Sequence, residues 1–395
     1  MPGSTVTISV DGGHFDDPAD EDPSSLVVMD DAPLSGIRVV EFGNLIAGPY
    51  CAMLLADLGA DVIKVEPPSG DLGRAFGPYI NGESAFFLSA NRGKQSVVLD
   101  LRRDDGRRKA LKLVETADVV VNNLRTGAME RLGLDEGSIR AHNPGVVYAV
   151  VSAFGSDGPY AHRSGIDVVF QAESGMMSLT GEPGSPPGKT ATTIGDYVAA
   201  TNTALGICAA LVGRASTGRG RRVDVSLRDS LIAVQAGWNA IAFAHDDQPE
   251  RTGTASPFLA PNRMFASSDG WFVIAIVSDR HFGQLCEAIG RPDLAAMFTG
   301  NDERMAARAA LEPILEELFA TRATDHWLAL FDGAGLPCGR ILTLPEVWAD
   351  PQVRHNEMIY RYEHPTAGEV RAVGSPIRID GSPARSQIPP PPLPD

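Results

Sequence analysis

The residues that offer this chain the most chemistry are Gly195 and Asp196, a carboxylate beside a position with no side chain. A missing Cβ lets a bulky molecule come close to the acid. From Tyr197 onward Val198, Leu205, Ile207 and Leu211 recur at roughly helical spacing, and residues 190–194 read as a short strand or extended approach. Asp196 is therefore expected at a helix start. Free N–H groups and the positive end of the helix dipole should keep it ionised there. Taken alone, such an Asp reads as a helix N-cap before it reads as a nucleophile.

The chain around this pair is 395 residues long, enough for a sizeable core and for two domains or one elaborated domain. A formal charge of -16 argues against nucleic acid or an anionic membrane as partner, since either needs a basic footprint. No run of about eighteen apolar residues and no secretory leader is read, so a cytoplasmic location is expected. Cys51, Cys208, Cys286 and Cys338 are scattered without metal spacing, and neither a disulfide nor a zinc site is expected. Residues 1–32 carry eight Asp or Glu and no Lys or Arg, the composition of a disordered acidic tail. Between Asn91 and Arg131, ten Lys or Arg face six Asp or Glu, a local +4 where an anionic ligand would sit. The cluster Arg107, Arg108 and Lys109 reads equally as a solvated helix face.

Stretches that could carry such a site alternate as strands and helices. Residues 37–42 read as a buried strand, 43–48 as a loop, 49–58 as a helix and 60–66 as a second strand, a βαβ unit with a right-handed crossover. The loop lacks the G-x-G-x-x-G spacing, which removes most support for a nicotinamide dehydrogenase. Further strands are read at 97–101, 118–121, 146–153 and 220–227, and Asp104 and Asp229 are read as opening helices. The result is a doubly wound α/β layer with a parallel sheet, whose ligands belong at the carboxyl ends of the strands. A linker spans 228–262, opening with an apolar helix from Asp229 to about Phe243 and turning polar from His245; a smaller α+β domain spans 263–340, and 341–395 links back toward the large domain, which covers 33–227. A strand pair is read at 370–378.

Several stretches, taken together, resemble the class III coenzyme A transferases, the family of formyl-CoA transferase, carnitine CoA-transferase and α-methylacyl-CoA racemase. They are Pro33-Leu-Ser-Gly-Ile-Arg-Val-Val-Glu-Phe, Ala47-Gly-Pro, Leu58-Gly-Ala-Asp-Val-Ile-Lys-Val-Glu, Asn91-Arg-Gly-Lys, Ala117-Asp-Val-Val-Val, Met129-Glu-Arg-Leu-Gly, Gly195-Asp196, Thr217-Gly-Arg-Gly and Gly335-Leu-Pro-Cys-Gly, in one order across residues 33–385. The resemblance implies that Asp196 is the nucleophile that attacks an acyl-CoA thioester, passing through a mixed anhydride and an aspartyl-CoA thioester. It implies a CoA site at Ile46, Ala47, Leu99, Asp100, Leu101, Arg102, Asn123, Leu124, Arg125 and Arg131, with coenzyme A as substrate and no resident cofactor or metal. It also implies an interlocked homodimer acting on an acyl-CoA and a free carboxylic acid.

Three departures bear on what the resemblance implies. Formyl-CoA transferase has phosphate-binding basic residues where this chain has Pro67 and Ser164, leaving Arg74 or Arg163 as replacements. Its glycine-rich active-site loop is missing, since residues 251–261 contain only Gly253, which argues against formate and oxalate as the pair. The racemase branch carries Gly-His-Asp where this chain reads Gly165-Ile166-Asp167, and isoleucine exchanges no proton. Asp279 would be its second base, with His162 the nearest histidine. An inactive CoA-binding subunit is the remaining alternative.

Overall fold

Buried aliphatic residues build the central sheet. In the computed structural model, which describes residues 32–393, six strands run β1 (Arg38–Phe42), β2 (Asp61–Glu66), β3 (Lys94–Val98), β4 (Val119–Asn122), β5 (Val147–Ser152) and β6 (Arg222–Ser226). Their spatial order is β3-β2-β1-β4-β5-β6, and every neighbouring pair is parallel. The order reverses between β1 and β4, which opens a crevice at the carboxyl ends of these two strands. Apart from Ala32, the acidic stretch lies outside the described residues.

Side chains alternate along the strands, so the sheet is covered on both faces. Val39, Val62, Val119, Val121, Val147 and Ala149 face helices α1 (Ala47–Asp57) and α6 (Ile194–Thr217). Val40, Phe42, Val65, Val120 and Tyr148 face α2 (Asp104–Val114), α3 (Ala128–Leu132) and α4 (Glu136–His142). Ten of the eleven residues of α1 are buried, and the exception is Tyr50. The helix α6 is long and apolar enough to cross a membrane by length and composition. It packs instead on α1, β5, β6 and α7 (Leu227–Val234), the position of a core helix.

A second core gathers Phe265, Phe272, Phe319, Trp327 and Phe331 between helices and a three-stranded antiparallel sheet of Asn262–Ala266, Trp271–Ala275 and Cys338–Arg340. The chain then returns to the large sheet. The Ser386 amide donates to Asp57, the Gly93 amide donates to the Ile388 carbonyl, and Arg74 donates to the Pro391 carbonyl.

Several boundaries differ from the sequence reading, each for a local reason. The third strand is Lys94–Val98 rather than 97–101, because the Lys94 ammonium is buried against Glu41 and a charged residue was read as loop. Residues 190–193 form no strand, with a bend at 191 and 192, and α6 starts at Ile194. Asp104 is the first residue of α2 and caps nothing. Ser226, not Asp229, caps α7, and the helix read through residue 243 breaks at Gln235 into α7 and α8 (Ala236–His245). The late strand pair is Ile359–His364 with Gly368–Val373, turned by the Thr366 and Ala367 amides that donate to His364 Nδ1.

Candidate functional site

The first turn of α6 is held from outside the helix. A fifth helix, α5 (Asp167–Glu173), places the buried Asp167 so that its Oδ1 accepts the Gly195 N–H at 2.7 Å. Asp167 Oδ2 accepts from Gln171 Nε2 at 2.5 Å, and Gln171 Oε1 accepts from the Thr190 amide at 2.9 Å. A Cβ on Gly195 would sit 2.9 Å from Asp167 Oδ1 and 3.1 Å from Leu231 Cδ1. Glycine is thus required by the packing beneath the helix, a more specific reason than access for a substrate.

Asp196 is the third residue of α6 and half-buried. Its carboxylate accepts a hydrogen bond from no described residue, so the capping role falls to Asp167 and not to Asp196. Burial, and then the neighbouring Asp167 carboxylate, push its pKa up to about 7. This corrects the expectation of permanent ionisation: desolvation and a like charge outweigh the helix terminus. The sequence reading gave no role to Asp167 and Gln171. Their signal was the acid in Gly165-Ile166-Asp167 with a glutamine one helical turn later.

Next to Asp196 in the chain, an aromatic pair joins α6 to α1. Tyr50 of α1 and Tyr197 meet edge to face with centroids 4.8 Å apart. With Val198, Thr201 and Asn202 they line an open cavity of about 280 Å³. Because α6 runs directly into β6, its other end, with Asp196, lies at the carboxyl edge of the sheet, where α7 also begins.

The first βα loop stands on a buried ionic network. Lys64 Nζ lies 2.7 Å from both Glu41 and Asp71 and donates to the Gly43 carbonyl. Lys94 Nζ lies 2.8 Å from Glu41 and donates to the Pro49 carbonyl. All four side chains are fully buried, and burial lowers the Lys94 pKa to about 8. Above this network Leu45 takes φ +66°, a strained conformation for a bulky residue, with its amide donating to Asp71 Oδ1 at 3.0 Å. Strain held by redundant contacts fixes the backbone around Ile46 and Ala47, both buried at the start of α1.

The other candidate residues occupy the same edge but differ in what they are free to do. Asn123 joins the loops across the switch point, accepting the Asn44 amide and donating to the Asn44 carbonyl, so its amide is already spent. Leu99 is buried; Asp100 pairs with the exposed Arg102; Leu101 and Leu124 are half-buried. Arg125 and Arg131 are exposed and pair with no described residue. The proposed replacements fare worse. Arg74 is held bidentately by Glu66, and Arg163 pairs with Glu173 while stacking on Phe154 and Tyr160. Asp279, the candidate racemase base, pairs with the buried Arg304 at 2.7 Å, while Ile166 and His162 lie exposed.

The chain as a whole has known relatives. A succinyl-CoA:mesaconate CoA-transferase from Haloarcula hispanica is 37% identical over 356 residues, covering 88% of this chain and 90% of that protein. An acetyl-CoA:oxalate CoA-transferase from Acetobacter aceti is 37% identical over 357 residues, with coverage of 88% and 90%. Among solved structures, a CAIB/BAIF family protein from Brucella suis superposes with a TM-score of 0.83 at 38% identity, covering 92% of this chain and 96% of that one. Residues 34–394 match CoA-transferase family III, so the parallel sheet, the held loop and the unpaired carboxylate are those of a chain that belongs to that family.

Proposed function

We propose that this chain transfers coenzyme A from an acyl-CoA to a free carboxylic acid through covalent chemistry on Asp196. The observation that carries this reading is the half-buried carboxylate of Asp196, without a partner among the described residues, at the start of a helix. An Asp196 oxygen forms a bond to the thioester carbonyl carbon, the C–S bond breaks, and the electron pair leaves with the thiolate. The thiolate then attacks the Asp196 carbonyl carbon of the anhydride, and the donor acid departs as its carboxylate. The acceptor carboxylate repeats these two steps in reverse order, restoring Asp196. Both acyl intermediates hydrolyse in water, so a partly desolvated site suits them.

The CoA phosphates fall to Arg125 and Arg131, whose guanidiniums are free for charge-assisted contacts. Ile46, Ala47 and residues 99–102 shape the rest of that site, with Asn123 holding its loop. The names of the two relatives support succinyl-CoA or acetyl-CoA as donor and a short dicarboxylate as acceptor. The active form is a homodimer, supported by apolar residues left at the surface of α6 and α8: Leu205, Val212 and Phe243 are 69%, 75% and 81% exposed. Incubating the purified chain with succinyl-CoA or acetyl-CoA and a panel of mono- and dicarboxylic acids, read by mass spectrometry, tests the reading. New acyl-CoA formed by the wild type and lost in Asp196→Asn supports it; turnover retained in a folded Asp196→Asn contradicts it.

A further inference from the structure

Asp167 is a buried carboxylate that no Lys, Arg or His among the described residues neutralises. Such a charge is costly, and a neutral side chain would satisfy the Gly195 amide at lower cost. It is nonetheless tied down on both oxygens, by the Gly195 N–H at 2.7 Å and by Gln171 Nε2 at 2.5 Å. Gln171 is itself fully buried and anchored by the Thr190 amide and hydroxyl, at 2.9 and 3.3 Å. The chain Thr190, Gln171, Asp167, Gly195 ends one residue before the proposed nucleophile. A negative charge is held at a defined place under another.

We propose that Asp167 is a positioning residue for the transfer reaction, one that fixes the first turn of α6 through the Gly195 amide and sets its own charge against that of Asp196. This rests on the reading of Asp196 as nucleophile. When the Asp196 oxygen bonds to the acyl carbon, the negative charge leaves with the thiolate sulfur and Asp196 becomes neutral. Repulsion from Asp167 is relieved in that step and restored only when the acyl group is released. Asp167 thus disfavours the resting carboxylate relative to the acylated one without touching substrate. The other titratable groups nearby are Tyr197 on the same helix and Tyr50 on α1, phenols that burial holds neutral; α7 contributes the apolar Leu231.

The test is Asp167→Asn, which keeps an acceptor for the Gly195 amide and removes the charge. Expected are a fall in kcat of about tenfold or more, a KM for acyl-CoA within about twofold of wild type, and an acid limb of the kcat profile displaced to lower pH by about one unit or more. An unmoved acid limb overturns the proposal whatever happens to kcat, because lost packing alone would slow turnover without moving it. Should Asp167→Asn fail to fold, Gln171→Met removes the anchor instead. A fivefold or greater loss in kcat at unchanged KM is then expected, and wild-type kcat or a loss carried by KM alone overturns the idea. Asp196→Asn measured alongside separates the two levels: if it stays active the nucleophile reading falls, and if it is inactive while Asp167→Asn behaves as wild type, only the role of Asp167 falls.

Discussion

A nucleophilic carboxylate has to be ionised to attack, yet Asp196 sits where ionisation is disfavoured. With its pKa raised to about 7, turnover should fall roughly tenfold per pH unit below neutrality, which a kcat profile from pH 5 to 9 would show. The same shift has a stability consequence with a definite sign. The folded-state pKa lies above the unfolded value near 3.9, so ionising Asp196 costs nothing below about pH 4, and the cost grows until pH passes about 7. Asp196→Asn should therefore stabilise the fold at pH 8, on the order of 2–4 kcal/mol by denaturant unfolding, with the advantage fading toward pH 4. A mutant no more stable than wild type at pH 8 would show that the site accommodates the charge. None of this was legible around residue 196, where the local signals, a helix start and a glycine, favour ionisation. What reverses them is burial, and then Asp167, 29 positions earlier and brought close by α5.

The elements explain why the first loop and the first turn of α6 are held so firmly. Glu41, Lys64 and Lys94 come from three adjacent strands and Asp71 from the loop after β2, so the network forms only once the sheet has assembled. Lys64→Met would leave the buried Asp71 without a cation and Glu41 with Lys94 alone, and a loss of about 3–5 kcal/mol is expected in denaturant unfolding. Gly206 supplies a second element-level test. A Cβ there would approach Val223 Cγ1 to 2.7 Å, so Gly206→Ala should cost about 1–3 kcal/mol despite the better helix propensity of alanine. The βαβ order and the parallel sheet were readable because valine runs such as 119–121 are unambiguous. The strand at Lys94 was misplaced by three residues, since a lysine buried by its partners looks like loop in a single sequence. The same blindness hid that Asn123 is committed to Asn44 and Arg74 to Glu66, whereas Arg125 and Arg131 pair with no described residue.

At the scale of the whole molecule, the large α/β layer supplies the crevice, the C-terminal segment closes back on it through Ser386 and Ile388, and apolar surface on α6 and α8 is left over. If a second copy covers that surface, Val212→Glu should shift the mass measured by light scattering from dimer toward monomer; a wild type that is monomeric at micromolar concentration would contradict it. Fold and family were legible because many short motifs fall in one order. The acids exchanged were not, because none of these motifs specifies them. The account stands most directly on the covalent step. Wild-type protein mixed with its acyl-CoA donor, without acceptor, and quenched with hydroxylamine or borohydride should yield a modified peptide containing Asp196 by mass spectrometry, absent in Asp196→Asn. An unmodified Asp196 peptide during full turnover, or a label on another residue, would contradict it.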